Sequence, residues 1–116
     1  DLGLAIYYHI LHDSYEKALE WSKKWQELFP ENGDFYAYEG WIIRENGDTA
    51  TAFSLLQAAH IKDPTNPFLL LQIAYTAQKS GNTAIASVYY KKVIQESPNS
   101  AWAQQAKIEL EKVQQS

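Results

Sequence analysis

A period of 34 residues is the feature of this sequence that most constrains its fold. Proline and alanine mark the period at equivalent places, namely Pro30, Pro64 and Pro98, and Ala18, Ala52 and Ala86. A fixed period of about 20 to 50 residues is typical of repeat architectures, in which one unit buries its apolar surface only by stacking on its neighbours. The sequence therefore predicts a stack of similar units.

Each period contains two amphipathic segments with helical spacing of the apolar residues, joined by a turn. The turns are His12-Asp13-Ser14, Asn46-Gly47-Asp48 and Ser80-Gly81-Asn82, and each supplies a side chain able to cap the next helix. Segments rich in proline, 63–67 and 97–100, end one period and begin the next. These signals predict an all-α fold of seven helices and no strands, over 2–12, 14–28, 34–46, 49–62, 67–80, 83–96 and 100–114.

The repeated pattern resembles that of the tetratricopeptide family. The residues that carry the resemblance in the two complete periods are Gly40, Gly47, Asp48, Ala52, Ala59 and Pro64, and Ala74, Gly81, Ala86, Tyr90 and Pro98. The resemblance implies one domain, 1–116, that forms a right-handed superhelix of antiparallel helix-turn-helix units. Its repeats would be 1–32, which lacks the start of the pattern, then 33–66 and 67–100, followed by a capping helix over 101–116.

Small residues are expected where helices cross closely, because a larger side chain would collide there. Gly40 with Ala52, and Ala74 with Ala86, are the predicted crossings.

Composition excludes several classes of partner. Ten basic against fourteen acidic residues give a net charge of −4, the wrong sign for a protein that binds nucleic acid. No apolar run is long enough to insert in a membrane, so we expect a soluble module, compatible with cytoplasm or bacterial periplasm. The chain has no cysteine and no methionine, so it offers no thiol site, and we expect it to be a processed form or a piece of a longer chain.

The residues most able to carry chemistry are more simply explained by packing. His9 and His12 are spaced i, i+3, but we interpret His9 as a packed histidine and His12 as a turn residue. His60 is expected at the surface near a helix end, and Glu39 is expected to be partly buried and bonded to a Tyr, His or Lys or turned toward the rim. We predict no catalytic residue, no metal site and no cofactor, because an active-site constellation cannot be assembled.

The resemblance implies that the first helix of each unit lines a concave groove that binds a peptide or a partner helix. The predicted groove residues are Tyr7, Leu11, Trp41, Arg44, Glu45, Phe68, Leu71, Tyr75, Gln78 and Lys79. The wider set of groove positions also includes Gly3, Ile10, Asp34 and Ala37, with Trp102, Gln105 and Glu109 on the capping helix.

Three large rings, Tyr7, Trp41 and Tyr75, occupy equivalent places one period apart and are predicted to form a ladder along the inner wall. Aromatic side chains supply rigid contact area and dominate binding hot spots. The alternative is that the same rings pack between neighbouring first helices as part of the core.

One branch of the family binds the C-terminal carboxylate of chaperones with a clamp of Lys and Asn. This sequence departs from that pattern, since the clamp positions hold Gly3, Tyr7, Tyr38, Phe68 and Gln72. The resemblance therefore does not imply chaperone-tail binding, and we expect a ligand with apolar anchors.

The alternative to a peptide-binding scaffold is a structural role, either as a homodimer or as an accessory domain of a larger multi-repeat protein. Leu2, Leu4 and Ile6 have no preceding helix to cover them, and Trp21 and Trp25 add apolar area.

Overall fold

The described part of the protein folds into seven α-helices. The structure, a computed structural model, describes residues 2–12 and 14–115, without the side chain of Leu2. The helices are α1 (Leu2–Leu11), α2 (Tyr15–Leu28), α3 (Gly33–Glu45), α4 (Thr49–Lys62), α5 (Pro67–Lys79), α6 (Thr83–Glu96) and α7 (Ala101–Gln114). No strand occurs in the described ranges. The all-α prediction is confirmed, and every predicted helix end lies within one residue of the observed end. Asp13, predicted in the first turn, lies outside the described residues.

The turns within two of the helix pairs depend on glycine. Gly47 and Gly81 have φ angles of 94° and 87°, in the left-handed region that glycine adopts without steric cost. The Gly47 N–H donates to the Arg44 carbonyl at 2.9 Å, and the Gly81 N–H donates to that of Gln78 at 3.1 Å. These bonds satisfy carbonyls left free at the ends of α3 and α5.

Two of the three predicted turn caps are present. The Asp48 side chain accepts a hydrogen bond from the Thr51 N–H at 3.0 Å, and that of Asn82 accepts one from Ile85 at 3.1 Å. In the first turn, the side chain of Ser14 makes no capping bond. With ψ at 55° the short serine side chain does not reach the helix, whereas Ser100, with ψ at 160°, does cap α7.

The helices form two layers. Every helix packs against the next one in the chain, and the odd-numbered helices also contact each other in the order α1, α3, α5, α7. Within the described ranges the even-numbered helices pack only against their chain neighbours. The odd-numbered helices therefore form a continuous inner layer, and α2, α4 and α6 lie outside it.

The core is centred on α5. Its apolar side chains Leu69, Leu70, Ile73 and Ala74 are all buried. They are covered because α5 contacts α3, α4, α6 and α7. Helix α5 is thus the most central helix, and it carries apolar residues on all its faces.

Gly40 lies at a close helix crossing, although its partner differs from the predicted one. A Cβ atom added to Gly40 would come within 2.5 Å of Leu56 Cδ2 and 2.6 Å of its Cγ. The predicted partner, Ala52, is itself fully buried. Leu56 lies one helical turn beyond Ala52 on α4, so the crossing is displaced by a turn.

Candidate functional site

The inner layer holds a cavity of about 430 Å³. Its walls come from all four odd-numbered helices. The lining residues are Tyr7, Tyr38, Trp41, Arg44, Phe68, Leu71, Gln72, Tyr75, Ala101, Trp102 and Gln105. A concave site with mostly apolar and aromatic walls and a few polar groups is typical of ligand pockets.

A series of five rings crosses this cavity from α1 to α7. Tyr7 contacts Trp41 with ring centroids 5.7 Å apart, and Trp41 stacks on Tyr38 at 6.3 Å. Tyr38 meets Phe68 edge to face at 4.8 Å, and Phe68 stacks on Trp102 at 5.1 Å. Aromatic pairs in these geometries stabilise each other beyond their buried area, so the wall is a connected surface.

Arg44 is buried within this wall, and only 6% of its surface is exposed. Its Nη1 donates to the Gln72 side-chain oxygen at 2.8 Å and to Thr76 Oγ1 at 3.1 Å, which ties α3 to α5. The guanidinium carbon lies 5.7 Å from the centroid of the Tyr75 ring. Burial lowers the pKa of Arg44, because the charged form loses hydration, and the nearby Glu45 carboxylate partly opposes this effect.

The hydroxyls of Tyr38 and Tyr75 remain protonated at neutral pH. Burial raises the pKa of Tyr38 to about 12, and the Asp34 charge adds to the effect. Burial also raises the pKa of Tyr75 to about 12, with a further contribution from the Glu109 carboxylate. Both side chains are therefore available as hydrogen-bond donors to a ligand.

A second cavity adjoins the first at the N-terminal ends of the inner helices. It shares Tyr38, Phe68 and Trp102 with the first cavity, and its other lining residues include Asp34 and Asp63. Asn66 Nδ2 donates to both carboxylates, at 2.8 Å to Asp34 Oδ1 and 2.9 Å to Asp63 Oδ2. The two cavities together form one groove with an acidic end.

The structure brings six of the ten predicted groove residues to the wall of the first cavity: Tyr7, Trp41, Arg44, Phe68, Leu71 and Tyr75. Leu11, Glu45 and Lys79 are exposed near the C-terminal ends of α1, α3 and α5 and do not line it. Gln78 is half-buried and accepts a hydrogen bond from the Tyr90 hydroxyl. Trp102 and Gln105 of α7 also reach the cavity.

Two positions of the wider predicted set point into the core instead. Ile10 is 4% exposed and packs in the cluster of Phe35 and Ile42, and Ala37 is fully buried beside Leu69. Both residues lie on inner-layer helices, as predicted, but their side chains pack against neighbouring helices instead of facing the groove.

The predicted ladder of Tyr7, Trp41 and Tyr75 is only partly formed. Tyr7 contacts Trp41, but within the described chain the ring partner of Tyr75 is Tyr90, at 6.0 Å. The Arg44 guanidinium occupies the face of Tyr75. The rings instead continue from Trp41 through Tyr38, because Tyr38 lies almost one turn earlier on the same helix.

Tyr38, Gln72 and Ala101 line the cavity but were absent from the predicted groove residues. Tyr38 and Gln72 are one period apart. Both occupy positions at which the chaperone-binding branch of the family carries its clamp residues, and those residues face the groove. That equivalence was the signal that could have identified them.

The other polar candidates occupy packing sites. Glu39 is buried and accepts a hydrogen bond from Gln26 Nε2 at 2.6 Å, so its partner is an amide rather than the expected Tyr, His or Lys. His9 packs edge-on against Trp21 at 5.0 Å, as expected. His60 was expected at the surface, but it is half-buried against Tyr89, and burial lowers its pKa.

The described residues contain neither a metal-binding cluster nor a membrane-spanning helix. In residues 2–12 and 14–115 no group of three or more His, Cys, Asp and Glu side chains is placed to hold a metal ion. Among the same residues, no helix has the length and apolar character needed to cross a membrane.

The sequence is similar to part of one characterised protein. It is 32% identical over 75 residues to bacteriophage adsorption protein A of Escherichia coli strain K12. The match covers 65% of this chain and 8% of that protein, so the chain spans less than a tenth of its length. No protein-family model matches the sequence.

Solved structures share the fold at low sequence identity. A chain of the Naa15/Naa10 complex bound to HypK-THB superposes with a TM-score of 0.88 at 21% identity, over 97% of this chain and 16% of that one. The first TPR of Spaghetti (RPAP3), bound to the HSP90 peptide SRMEEVD, gives 0.80 at 18% identity, over 98% and 88%. The Yersinia enterocolitica chaperone SycD, in complex with a peptide of the translocator YopD, gives 0.78 at 15%, over 97% and 89%. The chain therefore has the fold of tetratricopeptide repeat domains, as the sequence predicted.

Proposed function

We propose that the protein is a non-catalytic interaction module that binds a peptide segment of another protein in the groove of its inner layer. The observation that carries the proposal is the connected wall of five rings along the first cavity. Tyr7 and Trp102 are 41% and 40% exposed, so the wall presents aromatic surface to solvent at both ends. Clustered Trp and Tyr side chains are typical of binding hot spots.

The comparison structures support the same class of function. The RPAP3 domain and SycD, which share the fold, are each bound to a peptide. Each covers nearly the whole of this chain, so the inner layer has a counterpart in both. The Lys and Asn clamp positions differ here, which argues for a ligand other than a chaperone tail.

Truncation of Trp41 tests the proposal, because this ring joins Tyr7 to Tyr38 in the wall. Peptides selected on the wild-type protein from a random octapeptide library serve as the probe. We expect Trp41→Ala to weaken their binding by about 2 kcal/mol or more, the scale of an aromatic hot spot. Binding is measured by fluorescence anisotropy, and stability by urea unfolding of the same preparations.

Trp21→Ala is the matched control, because Trp21 lies on α2 and packs against His9 outside the cavity. It should leave peptide binding unchanged. Two results would contradict the proposal: full binding by a stably folded Trp41→Ala protein, or a loss of stability of about 3 to 5 kcal/mol that accounts for the whole binding defect.

A second candidate function is self-association through α1, and one observation favours it. Leu4, Tyr8 and Leu11 lie on one face of α1 and are 65%, 56% and 56% exposed. The positions one and two periods after Tyr8 are Ile42 and Thr76, which are buried between inner helices. At the Tyr8 position, the exposed face of α1 thus corresponds to a face that is covered in α3 and α5. The counterparts of Leu11, which are Glu45 and Lys79, are themselves exposed. Ile6, also expected in this apolar surface, lies instead in the protein's own core.

A further inference from the structure

The first cavity carries a single formal charge. Within the described chain, Arg44 is the one Lys, Arg, Asp or Glu among its lining residues. The protein as a whole has a net charge of −4, so this cation stands out against the overall charge. The carboxylates of Asp34 and Glu109 act on the cavity tyrosines from outside its lining. Within the wall itself, Arg44 favours an anionic group on whatever occupies the cavity.

The neighbours of Arg44 accept hydrogen bonds from only some of the N–H donors of its guanidinium. Nη1 donates to the side chain and carbonyl oxygen of Gln72 and to Thr76 Oγ1, all of them neutral acceptors. A guanidinium has five N–H donors, and no hydrogen bond from Nε or Nη2 occurs among the described residues. The paired carboxylate is Glu45, whose Oε1 lies 3.9 Å from Nη2, beyond hydrogen-bond distance.

Burial makes this partial pairing costly. Arg44 is 6% exposed, so water compensates its charge poorly, and the downward shift of its pKa reflects that loss of hydration. Glu45 is exposed, which lets solvent screen its attraction for the guanidinium. An anion that enters the cavity and displaces water would interact with Arg44 in a medium of low dielectric constant, where charge-assisted hydrogen bonds are strongest.

We propose that the cavity selects peptides that place the carboxylate of a Glu or Asp side chain on Arg44, beside an aromatic or large apolar residue packed on the Trp41 and Phe68 rings. This inference rests on the proposed function and specifies its ligand. A side chain fits better than a chain terminus because the guanidinium is recessed within the wall, beside the Tyr75 ring. The stem of an acidic side chain can reach it while the peptide backbone stays in the open groove.

The test is selection from a random octapeptide library with acetylated N-termini and amidated C-termini. We expect the selected peptides to combine an acidic residue with an aromatic or large apolar one. Replacing the selected Glu or Asp by Gln or Asn in a synthetic peptide should weaken binding about tenfold or more, the scale of hydrogen bonds to charged groups. A parallel library with free C-terminal carboxylates tests a chain terminus as the source of the anion.

Variants of the protein localise the effect. Arg44→Gln should bind the acidic peptide and its amide analogue with equal affinity, and Arg44→Lys should retain part of the preference. Lys91→Gln removes an exposed cation on α6, far from the cavity lining, and should retain the full preference. If Arg44→Gln does not fold, Arg44→Lys takes its place, and an undiminished preference for the acidic peptide in that variant would overturn the assignment to Arg44.

The outcomes separate the two proposals. Selection of aromatic peptides without acidic residues overturns the role of Arg44 as an anion site and leaves the proposed function standing, with Arg44 only tying α3 to α5. Dependence on a free C-terminal carboxylate also overturns the side-chain assignment. Failure of the wild-type protein to select any peptide overturns both proposals.

Discussion

Side-chain volumes at the crossing of α3 and α4 are matched residue by residue. Gly40 leaves room for Leu56, whose methyl groups occupy the space that a Cβ atom would need. The positions one period earlier and later also pair a large with a small residue, and all are fully buried: Ile6 with Ser22, and Ala74 with Tyr90. The close approach of the helices is thus set by the sum of two volumes rather than by one small residue.

Gly40→Leu is expected to destabilise the protein by about 1 to 3 kcal/mol, because the added side chain overpacks the space filled by Leu56. The free energy of unfolding in urea measures the effect. Ala58→Leu, at an exposed position of α4, is the control and should change stability little. An unchanged free energy of unfolding in Gly40→Leu would show that the crossing tolerates the larger residue. Leu56→Ala in the Gly40→Leu background should restore part of the loss.

At the scale of the helices, capping residues differ in the number of chain segments that their hydrogen bonds connect. Asn82 caps α6 through one bond to the Ile85 N–H and is exposed. Asn66 caps α5 through the Leu69 N–H and also donates to Asp34 and Asp63. Asp63 in turn accepts a hydrogen bond from the Gly33 N–H at 2.8 Å. The start of α5 is therefore held to the start of α3, which fixes the acidic end of the groove.

Asn82→Ala should cost about 1 kcal/mol, the usual value for loss of a helix cap. Asn66→Ala should cost more, about 2 kcal/mol or above, because Asp34 and Asp63 also lose their donor. Urea unfolding of the two variants side by side gives the difference. Equal losses would mean that the bonds to the two carboxylates contribute nothing measurable to stability.

On the scale of the whole molecule, the stack of helices is compact. Its radius of gyration is 13.4 Å, and its extents are 38 × 27 × 24 Å. A compact domain of about 100 residues has a radius of gyration near 13 Å, so seven helices are too few to extend the stack. The inner layer is continuous from α1 to α7, and the exposed face of α1 lies at one end of it.

If that face pairs two copies of the chain, the protein should sediment as a dimer that dissociates on dilution. Tyr8→Glu should then give a monomer, because a charge cannot be buried there without a partner. Ile61→Glu is the control, since Ile61 is 83% exposed on α4, away from α1. Analytical ultracentrifugation over a range of concentrations distinguishes the species, and a wild-type monomer throughout would eliminate this second candidate.

The sequence by itself determined the helices and their order. Period, turn residues and prolines act through local backbone preferences, so the ends of all seven helices could be predicted within one residue. The same local signals identified the turns at Gly47 and Gly81, where a positive φ is required. In the first turn, Ser14 makes no capping bond, because its ψ of 55° differs from the 160° at which the same side chain of Ser100 caps α7.

Tertiary structure decided which of the predicted side chains line the groove, and six of the ten do. A period fixes where a residue lies along its helix, but the direction of its side chain depends on how neighbouring helices pack. Ile10 and Ala37 therefore pack in the core, and the buried Arg44 joins α3 to α5 through its hydrogen bond to Gln72. The contacts of the aromatic rings also depend on helix packing. Trp41 stacks on Tyr38 of its own helix, whereas Tyr75 lies beneath the Arg44 guanidinium. The second contact joins residues far apart in the chain, so no local sequence pattern contains it.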